Sequence, residues 1–466
     1  MSSQSGRGII IKGNDVFRTP IRYRTALFAK LTTSMLLKHQ RSSFFPGDLY
    51  MTFFFTLFVI MFFGFALNRL AKLVRIPALV FYLLFGMLLC FIDSKVSSPS
   101  FRILDDGLMG ISSYIKKIAL IIILLKAGLS LDMKDLRKVG RPAILMSFLP
   151  ATVEMVAVGL LAPLFFNLSY TESFLLGSVL GAVSPAVVIP MMSKLLEEKY
   201  GTKEGIPQLI IAGSSIDDIV MIVCYQSFLT LEKGGSISAM TFLNIPISIA
   251  SGIAVGVLLG FLLSLLLKKV NIGVVWSFIL ILSLSCGLTY LEEVVSPYFG
   301  FSSLLSIITL ALVLHKRNPE QASNLKSAAN QVWALAEVFL FVLVGSSIKV
   351  DYALRYFLPA FLLLLCSLLC RSIAVSSCLI RTNFDLKERS FVILSYLPKA
   401  TVQAAIGGGL LDLGNSLLSQ GASNAASVIA AGEIVLSVSV LAILLSAPLS
   451  AILMNALYPK LLKKEE

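Results

Sequence analysis

Thirteen apolar runs, most of them about 17 to 25 residues long and separated by short charged loops, divide residues 49–456. They lie near 49–68, 75–92, 117–131, 142–166, 173–192, 206–230, 244–267, 273–291, 299–314, 331–347, 356–380, 389–411 and 427–456. A helix of about 20 apolar residues crosses the hydrocarbon of a bilayer, because it satisfies its own backbone hydrogen bonds where no water can. Strands of a membrane barrel would alternate apolar and polar positions. Stretches such as 119–125 and 362–369 are apolar at nearly every position, so the runs read as helices. The expectation is an all-α polytopic membrane protein with about thirteen crossings. Composition agrees: 57% of residues are hydrophobic and 14% charged, against about 45–50% and about 25% in soluble domains.

The charge balance of +13 would suggest nucleic acid in a soluble protein. In this chain it reads as basic cytoplasmic loops lying against anionic lipid, with no nucleic-acid partner. Loops after odd-numbered runs, together with the C-terminal tail, carry roughly three times as many Lys and Arg as loops after even-numbered runs. This places the odd-numbered loops and the C-terminus (Lys460, Lys463, Lys464) in the cytoplasm. Thirteen crossings then put the N-terminus outside, against the preference of its eight Lys and Arg. Residues 1–47 hold no apolar run of spanning length and no cleavable signal pattern, so a surface-lying or disordered tail is expected there. A hidden extra element or a start at Met51 are the alternatives. Residues 461–466 form a short cytoplasmic tail.

Six cysteines (Cys90, Cys224, Cys286, Cys366, Cys370, Cys378) fall inside apolar runs without a CxxC, and the chain has two histidines. They read as small buried thiols, not as a zinc site or disulfide framework.

Laying each run over the one seven places later brings irregularities into register. The third run ends Ala127-Gly128-Leu129-Ser130-Leu131-Asp132 and the tenth Ser346-Ser347-Ile348-Lys349-Val350-Asp351. The fifth is interrupted by Gly177, Gly181, Pro185 and Pro190, the twelfth by Pro398 and then Gly407, Gly408 and Gly409. Asp218-Ile219-Val220 in the sixth matches Glu433-Ile434-Val435 in the thirteenth. The reading is two six-helix repeats, 49–230 and 273–456, joined by a linker helix, 244–267, whose odd position inverts one repeat relative to the other. Any one of these prolines or glycines could be ordinary membrane-helix composition. The paired pattern points to a secondary transporter, with discontinuous helices meeting at a midplane site where freed backbone groups could serve an ion.

Eight charged residues lie well inside the runs: Lys126, Glu154, Asp217, Asp218, Glu337, Arg371, Lys399 and Glu433. Each costs at least about 2.5–3.5 kcal/mol at a helix centre, so each needs a partner or a task. Glu154, Asp217, Asp218, Arg371 and Lys399 share one depth on four different runs. Adjacent helical residues point about 100° apart, so one of Asp217 and Asp218 can hold a fixed cation while the other faces a cavity. A desolvated carboxylate beside a like charge favours its protonated form, and it can then exchange a proton for a hard monovalent cation. Glu154 with Lys399 and Arg371 with Asp217 read as two structural ion pairs.

These residues sit in motifs that resemble the cation:proton antiporters, and within them the NHA-type sodium/proton exchangers of animals and their bacterial relatives. The carrying segments are Leu180–Pro190 (LGAVSPAVVIP), Gly213–Ile219 (GSSIDDI), Leu397–Gly407 (LPKATVQAAIG) and, more weakly, Leu124–Asp132 (LLKAGLSLD). The resemblance covers roughly residues 50–460. It implies Asp218 as the main cation and proton carboxylate with Asp217 beside it, together the sodium site. It further implies Ser184, Thr401 and Gln403 lining that site, and Glu154 and Lys399 as a second core pair. Many bacterial relatives carry a lysine where this chain has Arg371, and arginine keeps its proton throughout. Lys126, Glu337 and Glu433 are accessory candidates, and Pro185, Pro190 and Pro398 mark the broken helices. Glu337 departs from the animal proteins, which carry an uncharged amide there. The resemblance also implies a homodimer in which a core moves against a dimerisation domain.

The expected activity is exchange of sodium, with lithium as a second cation, for protons across a cell membrane. A potassium/proton exchanger or potassium efflux transporter of the same superfamily is the alternative, the ligand-gated potassium kind being disfavoured because no nucleotide-binding domain follows the last run. No cofactor is expected and no GxxxxGK[ST] occurs. Filter repeats and charge rings of a channel are not evident. An intramembrane aspartyl protease would need aspartates from two helices, whereas these are neighbours on one, so the chain is read as a transporter and not an enzyme.

Overall fold

The computed structural model describes residues 46–74, 76–95, 103–130, 140–234, 239–270, 272–295, 299–348 and 354–465. The expected tail at 1–47 lies outside these residues, except that 46 and 47 open the first helix. The repeat-matching residues Leu131, Asp132 and Lys349–Asp351 also lie outside them.

Eighteen helices follow one another among the described residues. They are α1 Pro46–Val74, α2 Ala78–Lys95, α3 Asp106–Gly110, α4 Ser112–Ser130, α5 Arg141–Met146, α6 Leu149–Phe165, α7 Tyr170–Gly181, α8 Pro185–Glu198 and α9 Ile206–Gly234. Then come α10 Ala239–Lys269, α11 Val274–Val295, α12 Ser303–Arg317, α13 Pro319–Ser346, α14 Phe357–Cys378, α15 Leu386–Ser395, α16 Thr401–Ile406, α17 Gly409–Ser419 and α18 Ala425–Leu461. Among the described residues, nine helical stretches are long and apolar enough to cross a membrane by length and composition. The other four expected runs are also helical, over α4, α9, α12 and the segmented α15–α17. An isolated bridge between Tyr200 and Lys464 is the β-structure present among the described residues.

Where the runs depart from single helices, proline chemistry explains most of the difference. The fourth run divides into α5 and α6, with a turn at 147–148 just before Pro150, whose missing N–H cannot close the helical ladder. In the fifth run Pro185 takes the first position of α8, where no N–H is needed, and the break falls at 182–184. Pro190, expected to interrupt this run, lies inside α8 without ending it, and Gly177 lies inside α7. The twelfth run is open at 396–400 around Pro398 and again at 407–408.

Helix faces are sorted for a lipid solvent. On α14, Leu358, Leu362, Leu365, Leu369 and Ile373 are exposed, while Ser367 and Arg371 are fully buried on the opposite face. That is the reverse of a soluble amphipathic helix and fits hydrocarbon outside with polar groups inside. Helices pack by close backbone approach where residues are small. Gly252, Gly256 and Gly260 form a four-residue-spaced stripe on α10, and a Cβ on any of them would fall within 2.6–2.8 Å of a carbonyl at Ser302, Ser306 or Leu310. Gly86 of α2 and Gly345 of α13 approach each other's helix equally closely. Of the six cysteines, expected to be buried, Cys378 is buried, Cys90, Cys224, Cys366 and Cys370 are half-buried, and Cys286 is exposed.

The helices pack in two groups. One contains α2, α4 and α10–α13; the other contains α5–α9 and α14–α18. The broken helices and the clustered charges belong to the second. Where this group meets the chain's end, residues 463–465 clasp its loops: Gly201 N–H donates to Lys463 O at 2.8 Å and Glu465 N–H to Lys199 O at 2.9 Å. Lys463 Nζ lies 3.1 Å from Asp385 and 3.4 Å from Glu388, which together cap α15. The backbone N–H of Glu388, followed by the Lys463 ammonium, holds the Asp385 carboxyl below its usual range. Asp385 and Glu388 in turn raise the Lys463 ammonium above its own.

Candidate ion-exchange site

The two breaks cross each other. Ser184 N–H, at the end of the first, donates to the carbonyl of Pro398 in the second at 2.8 Å. A helix leaves its last carbonyls without internal partners, and those at the end of α7 are taken by side chains from the other half of the chain. Arg371 Nη1 donates to Gly181 O, Lys399 Nζ to Ala182 O at 3.3 Å, and Gln403 Nε2 to Val179 O at 3.0 Å and Ala182 O at 2.9 Å. In the second break, Tyr396 O accepts from Arg371 Nε. Five of the carbonyls around the breaks, those of Val179, Gly181, Ala182, Tyr396 and Pro398, are therefore already engaged by protein donors and not free to serve an ion.

The buried charges form one network, not two separate pairs. Glu154 on α6 accepts from Lys399 Nζ at 2.6 Å and from Arg371 Nη1 at 2.7 Å, and Arg371 Nη2 donates to Asp217 Oδ2 at 2.6 Å. All four side chains are fully buried. Two contacts that the sequence does not show join the network: Arg371 bridges both carboxylates, and Ser367 Oγ donates to Glu154 Oε1 at 3.3 Å. Ser367 stands one turn before Arg371 on α14, so the i, i+4 spacing was a usable signal for it.

Within this network two cations neutralise two carboxylates. Asp218, 7% exposed and next in sequence, is a fifth charge with no cation left over. Its Oδ1 is buried without a hydrogen-bond partner, and so are Asp217 Oδ1, Ser184 Oγ and Thr401 Oγ1. The backbone of Ser184 is pinned while its hydroxyl is open. Buried oxygens left unpaired cost about 1–3 kcal/mol each, a cost that a bound cation or proton can offset. Carboxylate and hydroxyl oxygens suit a hard monovalent cation, and among the described residues no group of three or more His, Cys, Asp or Glu could hold a metal.

The remaining candidates fall elsewhere. Gln403 lies between the breaks, its amide committed to backbone. Lys126 on α4 lies 5.9 Å from the Trp333 ring of α13, with Glu337 one turn further along α13, both in the other helix group. Glu433 is half-buried on α18. The sequence reading missed Lys116, 7% exposed on α4, whose Nζ lies 3.7 Å from Asp412 on α17 and so joins the two helix groups. Both fell one residue outside the expected runs 117–131 and 389–411, since α4 starts earlier and α17 ends later than hydropathy indicates.

Crossed helix breaks beside a neutralised buried network with one surplus carboxylate are the arrangement expected at the midplane of a secondary transporter. Residues 54–455 match the family described as "Sodium/hydrogen exchanger, transmembrane", and the chain belongs to that family. It is 32% identical over 408 residues to the mouse protein named sodium/hydrogen exchanger 9B2, covering 86% of this chain and 71% of that one. Its identity to human sodium/hydrogen exchanger 9B1 is 31% over 432 residues, covering 88% and 78%. The fold matches the solved sodium proton antiporter MjNhaP1 of Methanocaldococcus jannaschii with a TM-score of 0.74 at 22% identity, over 89% of this chain and 99% of that one.

Proposed function

We propose that the protein exchanges sodium or lithium for protons by alternating access, with Asp218 as the group for which cation and proton compete. The observation that carries this reading is the charge balance of the buried centre: Arg371 and Lys399 are matched by Glu154 and Asp217, and Asp218 is left over. An isolated buried carboxylate must take a proton or a cation, and one that takes either in turn is an exchange site. Asp217 Oδ1, Ser184 Oγ and Thr401 Oγ1 are the further oxygens available to a partly dehydrated cation. Arg371 keeps its proton and acts as a fixed counter-ion, so the transported proton rides on the aspartates.

The relatives named as sodium/hydrogen exchangers favour sodium over the potassium alternative. The chain works as a homodimer of carriers in a cell membrane, with its C-terminus cytoplasmic and its basic loops against anionic lipid. It carries out transport and no covalent chemistry. Proton flux in proteoliposomes driven in turn by Na+, Li+ and K+ at clamped membrane potential tests the reading. Flux with Na+ and Li+ is expected, and flux with K+ alone contradicts it.

A further inference from the structure

Gln403 is fully buried, and its amide links the two breaks. Its Nε2 donates to Val179 O at 3.0 Å and Ala182 O at 2.9 Å, at the first break. Its Oε1 accepts from Ala400 N–H at 2.7 Å, at the second. An amide has two donors and one carbonyl oxygen, so all three are occupied by backbone. Two residues before Gln403 stands Thr401, and two after Ala182 stands Ser184; both hydroxyl oxygens are buried and unpartnered, as are those of Ser173, Tyr225 and Tyr396 elsewhere in the helix bundle.

We propose that Gln403 is a positioning residue that sets the spacing of the two breaks, and through it the separation of the Ser184 and Thr401 hydroxyls around the cation, without touching the cation itself. Its effect is on cation size selectivity. The proposal rests on the reading of Asp218 as the exchanging carboxylate. The chemistry of the side chain suits the task. A lysine or arginine in its place would add a positive charge where a cation must enter, and a glutamate would turn an acceptor toward carbonyls that need donors. An amide supplies two donors and an acceptor at no net charge. Sites that discriminate ions need their ligating atoms held to within about 0.5 Å, and such holding comes from side chains that do not themselves ligate.

The test uses the purified full-length chain and its Gln403→Met, Gln403→Glu and Gln403→His variants. The primary readout is the concentration of Na+ and of Li+ giving half-maximal thermal stabilisation, a binding measure that needs no transport. The second readout is the KM for each cation in cation-driven proton flux. Both Gln403→Met and Gln403→Glu are expected to weaken Na+ binding about tenfold and to move the Na+ to Li+ ratio at least about threefold, with maximal flux changing less than KM. Gln403→His keeps one donor and one acceptor and is expected to move the ratio the same way by less; it carries the comparison if the other two do not fold. Tighter binding in Gln403→Glu overturns the proposal, because it marks a direct ligand. An unchanged Na+ to Li+ ratio in the variants that fold overturns it too, because it marks a purely structural amide. An unmodified chain that binds Na+ but moves no protons counts against the exchange reading and leaves the ratio measurement to decide on Gln403.

Discussion

Arg371 Nη2 donates to Asp217 Oδ2 at 2.6 Å, and this bond gives two adjacent aspartates different surroundings. Asp217 is held as part of a neutral network, while Asp218, rotated about 100° around α9, keeps an oxygen with no protein partner. Replacing the guanidinium therefore affects the centre twice over. Arg371→Ala strands Asp217 in a dry interior and takes from Glu154 one of its two cationic partners, and is expected to cost about 3–5 kcal/mol. Arg371→Lys keeps the charge but cannot reproduce bonds to Glu154, Asp217, Gly181 and Tyr396 at once. Thermal unfolding in detergent should rank wild type above Arg371→Lys above Arg371→Ala.

Glu154 and Lys399 are coupled through a 2.6 Å contact. Lys399→Ala leaves the network with excess negative charge, and Glu154→Ala leaves two cations facing each other. The double variant keeps the neutral Arg371–Asp217 pair. It is expected to be more stable than the sum of the single losses predicts, with a coupling of about 0.5–3 kcal/mol in a double-mutant cycle. Additive losses would mean that the two side chains act independently.

The clasp at 463–465 has a pH window set by its own groups. Asp385 is held below its ordinary value, so its contribution is present above about pH 4 and is lost as pH falls through the lowered value. Lys463 is held above its ordinary value, so its contribution is present below about pH 10 and is lost as pH rises through the raised value. Spin labels at Lys203 and Lys464 should show a narrow distance distribution at neutral pH that broadens in strong acid, and Asp385→Asn should broaden it already at neutral pH.

The α10 glycine stripe gives a packing prediction. A Cβ on Gly256 would meet Ser306 O at 2.6 Å and Thr309 Cβ at 2.7 Å. Gly256→Val should push α10 from α12 at a cost of about 1–3 kcal/mol. The same substitution at Gly287, which has nothing within 4 Å, should cost far less. Thermal unfolding of the two variants makes the comparison.

Sequence alone carried the helical runs, both breaks and the buried charges, because hydrocarbon leaves few ways to place a charge or an unpaired carbonyl. Periodicity could not show which proline opens a helix: Pro185 and Pro190 look alike in the sequence, yet only Pro185 follows a break. Nor could it show that Arg371 bridges two carboxylates, since that depends on how α14 lies between α6 and α9. Gln403 read as a site-lining amide because its neighbours are motif residues; its two bonds to Val179 and Ala182 emerge only when α7 and α16 meet. Lys116 and Asp412 were hidden by run boundaries drawn one residue short of them.

Everything proposed about exchange turns on Asp218. Cation-driven proton movement in proteoliposomes, compared between the unmodified chain, Asp218→Glu and Asp218→Asn at equal reconstituted protein, decides it. Asp218→Asn, which can bind neither proton nor cation as a carboxylate does, is expected to abolish exchange, while Asp218→Glu retains part of it. Normal exchange by Asp218→Asn would contradict the assignment.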